Sequence, residues 1–156
     1  MREQVIERIE KEKLIAIVRG VSADQCSKVA NALYAGGVRL MEITYNQKDP
    51  ASWQQTAEAI GALTEEFGGK MLFGAGTVTN VELVELTHAH GGKYIISPDT
   101  NVDVIKRTVE LGMVSLPGAM TPTEVMTAHA AGADFVKLFP VASLGTEYIR
   151  ALCAPL

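Results

Sequence analysis

A lysine sits in the middle of an apolar run, Ala133-Asp134-Phe135-Val136-Lys137-Leu138-Phe139-Pro140. In an extended strand successive side chains alternate, so Phe135, Lys137 and Phe139 share one face while Val136 and Leu138 share the other. Both faces are apolar apart from Lys137, the pattern of a parallel sheet covered by helices. An amine there must reach a polar cavity or lose its charge, and a neutral amine attacks carbonyl carbons. The bland alternative, a strand-end lysine that snorkels to water, is the better reading of this stretch taken alone. Other strands change that balance. Leu40, Glu42 and Thr44 share a face of a second apolar run, and Ile15, Ile17 and Arg19 share a face of the first. The same alternation pairs Phe73 and Ala75 with Thr77, and Ile95 with Ser97, each set carrying its polar member toward the C-terminal end. If those faces point into one barrel, Arg19, Glu42, Thr77, Ser97 and Lys137 converge on its mouth. Glu42 and Lys137 could be no more than an ion pair that satisfies two charges. The full set supports carbanion chemistry next to a carbonyl. Lys137 would form an iminium, Glu42 would shuttle protons, and the Thr77 hydroxyl with the backbone N–H groups after Gly74-Ala75-Gly76 would hold a carboxylate. Arg19 would add charge for an anionic substrate.

The elements that must place these residues alternate strictly. A helix over 2–13 precedes a strand at 14–20. Ser22 is placed to cap a helix over 23–34 that stops at Gly36-Gly37. Strand 38–45, helix 51–67, strand 71–76 and a short helix from the Asn80 cap to 88 follow. Strand 94–98, helix 102–111 and strand 113–116 lead to Thr121-Pro122, with proline in the first turn of a helix to 131. Strand 135–139 and a helix over 146–153 complete the chain. A βα repeat of roughly twenty-odd residues argues for right-handed units on a parallel sheet. Val18-Arg19-Gly20-Val21-Ser22 is neither a GxGxxG nor a phosphate loop, which weighs against a doubly wound sheet, and polar groups at several strand ends fit a TIM-type barrel.

Composition sets the outer limits. With 156 residues, 14 Lys+Arg and 18 Asp+Glu, the chain fits one domain and carries a formal charge of −4, which favours neither nucleic acid nor an anionic membrane as partner. The charged start has no signal-peptide core, no run is long enough to span a bilayer, and Cys26 and Cys153 have no metal or CxxC spacing, so a cytoplasmic protein with reduced thiols is expected. His88, His90 and His129 give little support to a metal site.

Several of these stretches, taken in order, resemble the class I KDPG/KHG aldolases. They are residues 15–20, Gly36-Gly37-Val38 through Glu42-Ile43-Thr44, Gly74-Ala75-Gly76-Thr77-Val78, Ile96-Ser97-Pro98, Pro117-Gly118 with Thr121-Pro122-Thr123-Glu124, and Val136-Lys137-Leu138-Phe139-Pro140. The resemblance covers essentially the whole chain. It implies a (β/α)8 barrel, a homotrimer, no metal or other cofactor, and cleavage of 2-keto-3-deoxy-6-phosphogluconate to pyruvate and glyceraldehyde 3-phosphate. By position Lys137 resembles the family's Schiff-base lysine, Glu42 its acid/base and Thr77 the carboxylate-holding residue, with Pro98 and Phe139 lining the pocket. Where many members carry an arginine for the substrate carboxylate this chain has Asn46, and Arg19 is the candidate to supply that charge. The family continues into two further strands whose loops bind the substrate phosphate. Residues 1–156 are therefore expected to be a single barrel domain truncated after its sixth βα unit, with unpaired strand edges. Two alternatives stand beside this reading: an aldolase for 4-hydroxy-2-oxoglutarate or the phosphogalactonate analogue, and an incomplete barrel without turnover.

Overall fold

The computed structural model describes residues 2–142 and 144–156. Helix α1 (Arg2–Glu12) is followed by β1 (Ala16–Val18), α2 (Ala23–Ala35), β2 (Leu40–Thr44), a 3-10 turn at Pro50–Ser52, α3 (Trp53–Phe67) and β3 (Leu72–Gly76). Then come α4 (Val81–Ala89), β4 (Tyr94–Ile96), α5 (Val102–Glu110), β5 (Val114–Leu116), β6 (Gly118–Ala119), α6 (Pro122–Ala130), β7 (Lys137–Leu138) and α7 (Gly145–Cys153). Strands β1 to β5 form one parallel sheet in chain order, and β6 pairs in parallel with β7. The break between the two sheets falls at Pro117, which has no N–H to give. The wall nevertheless continues across it: the N–H groups of Asp134 and Phe135 donate to the Ser115 carbonyl, and Lys137 N–H donates to the Pro117 carbonyl at 2.9 Å. Six consecutive staves of a TIM-type barrel result, the fifth bent at its proline and running on as Gly118–Ala119, a continuation the strand pattern did not signal. Among the described residues no helix is long and apolar enough to cross a membrane.

Alternation along the strands sorts side chains into two packed layers. Ile15, Leu40, Leu72, Tyr94, Ile96, Val114, Leu116 and Phe135 pack together inside the barrel, and Val5 and Ile9 of α1 close that cluster from below. Met41, Ile43, Phe73, Ala75 and Ile95 point outward and pack against Ala30, Ile60, Leu63, Phe67, Leu83 and Val84 of the helices. This corrects two expected faces. In β3 the inward residues are Leu72, Gly74 and Gly76, not Phe73 and Ala75; in β4 they are Tyr94 and Ile96, not Ile95 and Ser97. The reason is steric. A Cβ on Gly74 would lie 2.3 Å from the Tyr94 ring, and one on Gly76 would lie 2.8 Å from the Glu42 carboxyl, so the interior beside β3 is filled by its neighbours' side chains. Several strands are also shorter than expected, β1 covering three residues of 14–20, β7 two of 135–139, β4 three of 94–98 and β2 five of 38–45. Ser22 stands at the N-cap of α2 without making a side-chain cap bond.

The N-terminal helix is tied to the wall at both its ends. Arg8 donates to the carbonyl of Lys70, just before β3. Arg2 pairs with Asp134 at 2.8 Å, just before β7, and Asp134 also accepts from the Ser115 N–H at 2.9 Å. The Asp134 side chain is only 6% exposed, so removing it strands a backbone donor and a cation at once. Asp134→Ala is expected to lower unfolding stability by roughly 1–3 kcal/mol, and Asp134→Asn by less because an amide oxygen can still accept from Ser115. Urea midpoints of the two variants would check this, and equal loss in both would contradict the assigned role of that acceptor.

Candidate active site

Glu42 lies at the centre of β2, with both neighbouring staves in place: Ile17 beside it on β1 and Gly74 on β3. It is 2% exposed, and its Oε2 has no hydrogen-bond partner. Burial raises its pKa above the ordinary 4.5; the positive charges of Lys137 and then Arg19 pull it back but do not cancel the effect. A carboxyl in that condition gains and loses a proton more easily near neutral pH than a solvated one does. Gly76 is what lets it sit there, since any side chain at that position would occupy the carboxyl's space.

Above Glu42 opens a cleft of about 560 Å³ at the C-terminal ends of the strands. Arg19, Thr77, Pro98 and Phe139 all line it, together with Thr44 and the β2–α3 loop at Asn46, Gln47 and Lys48. Four of the seven expected site residues thus line one cleft. Glu42 lies below the floor of that cleft, two residues before Thr44. Lys137 rises from β7 with Nζ 4.8 Å from the centre of the Phe139 ring, within cation–π reach on the face the alternation gave it. Its position is set by the backbone bond to Pro117 and by pairing with Gly118. Gly118 in turn lets the loop after β4 approach: a Cβ there would meet the Pro98 carbonyl at 2.4 Å, and the Thr100 hydroxyl donates to the Gly118 carbonyl at 2.7 Å. That contact sets Pro98 against the cleft.

Thr77 reaches the cleft by a different route from the one expected. Strand β3 ends at Gly76, and Thr77 has a φ of 59°, so the chain reverses and the strand's alternation no longer applies. Ser97, by contrast, is buried on the side of Ile95 and is not among the residues lining the cleft. Tyr94 and Gln47 were not foreseen, nor was the part Gly76 plays in making room for Glu42. Tyr94 fills the space over Gly74 and, besides its burial, feels the Glu42 charge, which helps push its pKa well up. Adjacent glycines two apart in a strand could have signalled large neighbours inside; a polar residue in a loop gives no such signal.

The raised pKa of Glu42 ties the stability of the fold to pH. The folded state holds the proton above 4.5, where the unfolded chain releases it, so stability present below that pH is lost as pH rises through the folded pKa. Glu42→Gln removes the penalty. The variant should match the parent's stability near pH 4 and exceed it at pH 8, measured as urea midpoints; a variant less stable at pH 8 would mean that the charge is fully compensated.

The sequence profile of the KDPG and KHG aldolases matches residues 5–156. Over 146 residues the chain is 38% identical to the 2-dehydro-3-deoxy-6-phosphogalactonate aldolase of Escherichia coli strain K12, covering 94% of this chain and 68% of that protein. It is 33% identical to the 2-dehydro-3-deoxy-phosphogluconate aldolase of Treponema pallidum strain Nichols, covering 97% and 69%. Among solved structures, a native KDPGal structure superposes with a TM-score of 0.82 at 37% identity, covering 91% of this chain and 66% of that one. The chain thus spans about two thirds of the length of these relatives, and it belongs to the KDPG/KHG aldolase family.

Proposed function

We propose that this chain carries the Schiff-base half-reactions of a class I aldolase acting on a 2-keto-3-deoxy-6-phospho sugar acid, a carbon–carbon lyase. The observation that carries the reading is the buried, unpartnered Glu42 carboxyl within electrostatic reach of the Lys137 amine. Lys137 adds through Nζ to the C2 carbonyl of the substrate, and loss of water leaves an iminium. Glu42 takes the proton of the C4 hydroxyl, directly or through one water. The C3–C4 bond then breaks, its electron pair passing to C3 as an enamine while C4 becomes the aldehyde carbonyl. Glu42 returns a proton to C3, and hydrolysis of the pyruvate iminium frees Lys137. In this reading the Thr77 hydroxyl serves the substrate carboxylate, Arg19 its charge, and Pro98 with Phe139 the apolar wall beside the reacting carbons, a reading supported by their lining one cleft.

The substrate in this reading is the phosphogluconate-derived acid, giving pyruvate and glyceraldehyde 3-phosphate. The C4 epimer derived from galactonate gives the same products and is favoured by one observation, the higher identity to a phosphogalactonate aldolase. The family resemblance also supports a single barrel domain, a homotrimer and a cytoplasmic location, of which the trimer is checked by light scattering. Pyruvate with borohydride should leave a reduced pyruvyl group on Lys137, absent in Lys137→Ala. Glu42→Gln should keep the adduct and slow cleavage by about 10²–10⁴-fold. Cleavage of the two C4 epimers, followed by pyruvate release, decides between them. A label on another lysine would remove Lys137 from the nucleophile's role.

A further inference from the structure

We propose that Gln47 is a positioning residue that clamps Thr77 in its left-handed conformation and so presets the carboxylate side of the cleft. The inference rests on the aldolase reading for its consequence but on geometry for its basis. Thr77 is β-branched and has a φ of 59°, a conformation such residues seldom adopt without outside support. The support is visible. The Gln47 amide donates from Nε2 to the Thr77 carbonyl at 2.7 Å, and its Oε1 accepts from the Thr79 hydroxyl at 2.9 Å. One amide therefore grips the turn on both sides of Val78. Both roles are imposed by the partners, because a carbonyl can only accept and the remaining amide oxygen can only accept from the hydroxyl.

The residue that grips is itself held. The Asn46 carbonyl accepts from the Trp53 indole at 3.0 Å, its side chain accepts from the Lys48 N–H at 3.0 Å, and Tyr45 N–H continues the ladder to the Gly76 carbonyl at 2.9 Å. On the far side Asn101, which caps α5, donates to the Thr79 carbonyl at 3.3 Å. Gln47 thus joins the loops after β2 and β3, Asn101 joins those after β3 and β4, and among the described residues Thr77 is the cleft-lining member of this chain of bonds with a positive φ. Loss of the clamp lets the turn relax, so the donors offered to a 2-keto acid must be reassembled on binding. That raises the ligand concentration needed without touching the amine that reacts.

The test reads pyruvate trapping on Lys137 in the full chain, giving a half-saturating pyruvate concentration and a saturated trapping rate. Gln47→Ala should raise the first by about fivefold, the worth of one ordinary hydrogen bond, and leave the second within about twofold. Glycine adopts positive φ freely, so in a Thr77→Gly background the same Gln47→Ala change should have less than about twofold effect, a coupling that a merely structural residue would not give. Amide hydrogen exchange at residues 77–79 should quicken in Gln47→Ala whether or not the chain reacts with pyruvate. A chain that forms no adduct would overturn the aldolase reading while the exchange still decides the clamp. Unchanged exchange, an equal effect in the glycine background, or a matching fall in saturated rate would overturn the clamp.

Discussion

A carboxyl group held in an apolar interior is the constraint on which this barrel is arranged. Glu42 is 2% exposed with one oxygen unpartnered, and such a charge is tolerated only if something opposes it or the group keeps its proton. Both occur here. Lys137 and Arg19 supply opposing charge from β7 and from the end of β1, and desolvation still leaves the carboxyl with a raised pKa. Room for it comes from the next strand, where Gly76 has no side chain to compete. Below it the interior is an apolar cluster, the Tyr94 hydroxyl satisfied by the Leu72 carbonyl, that Val5 and Ile9 plug, so the carboxyl marks the boundary between that floor and an open cleft.

The cleft side of that boundary is made rigid by helix caps that begin almost where the strands end. Asn80 accepts from Leu83 N–H, Asn101 from Asp103 and Val104, and Thr121 forms a capping box with Glu124. Glu124 accepts from the N–H groups of Met120 and Thr121, and these donors hold its carboxyl below the ordinary range. Each cap fastens the loop on its N-terminal side, leaving residues 77–79 after β3, 97–100 after β4 and Met120 alone after β6 to shape the cleft. Thr77 and Pro98 are among those few.

How far this was legible in the sequence depended on whether the inward face carried a mark. In β2 and β7 a single charge among apolar residues, Glu42 and Lys137, made the face unambiguous. In β3 the inward residues past Leu72 are glycines, which have no hydropathy to read, while outward Phe73 and Ala75 looked like core and are core, but of the helical layer. In β4 both faces are buried, so the period-two pattern could not choose between Tyr94 and Ile95. Thr77 was assigned to the cleft through a face it does not share, because a positive φ after the strand is invisible to alternation. Helix ends were easier: Gly68 sits in the left-handed region where a C-terminal stop needs it.

Position within the sheet governs how burial is distributed between Glu42 and Lys137. Strands β2 and β3 have partners on both sides, whereas β1 and β7 are each paired on one side among the described residues. Ile17, on the inward face of β1, is accordingly 58% exposed, and Phe139, next to β7, is 42% exposed. Glu42 is shut away because it stands on the fully flanked strand, while Lys137, on the end strand, is only partly buried. Desolvation therefore acts first on Glu42, whose neighbours include Thr44, Gly76 and Tyr94 of β2 to β4. The tuning of that carboxyl thus has two sources, burial supplied by the inner staves and opposing charge supplied by Lys137 on β7 and Arg19 after β1.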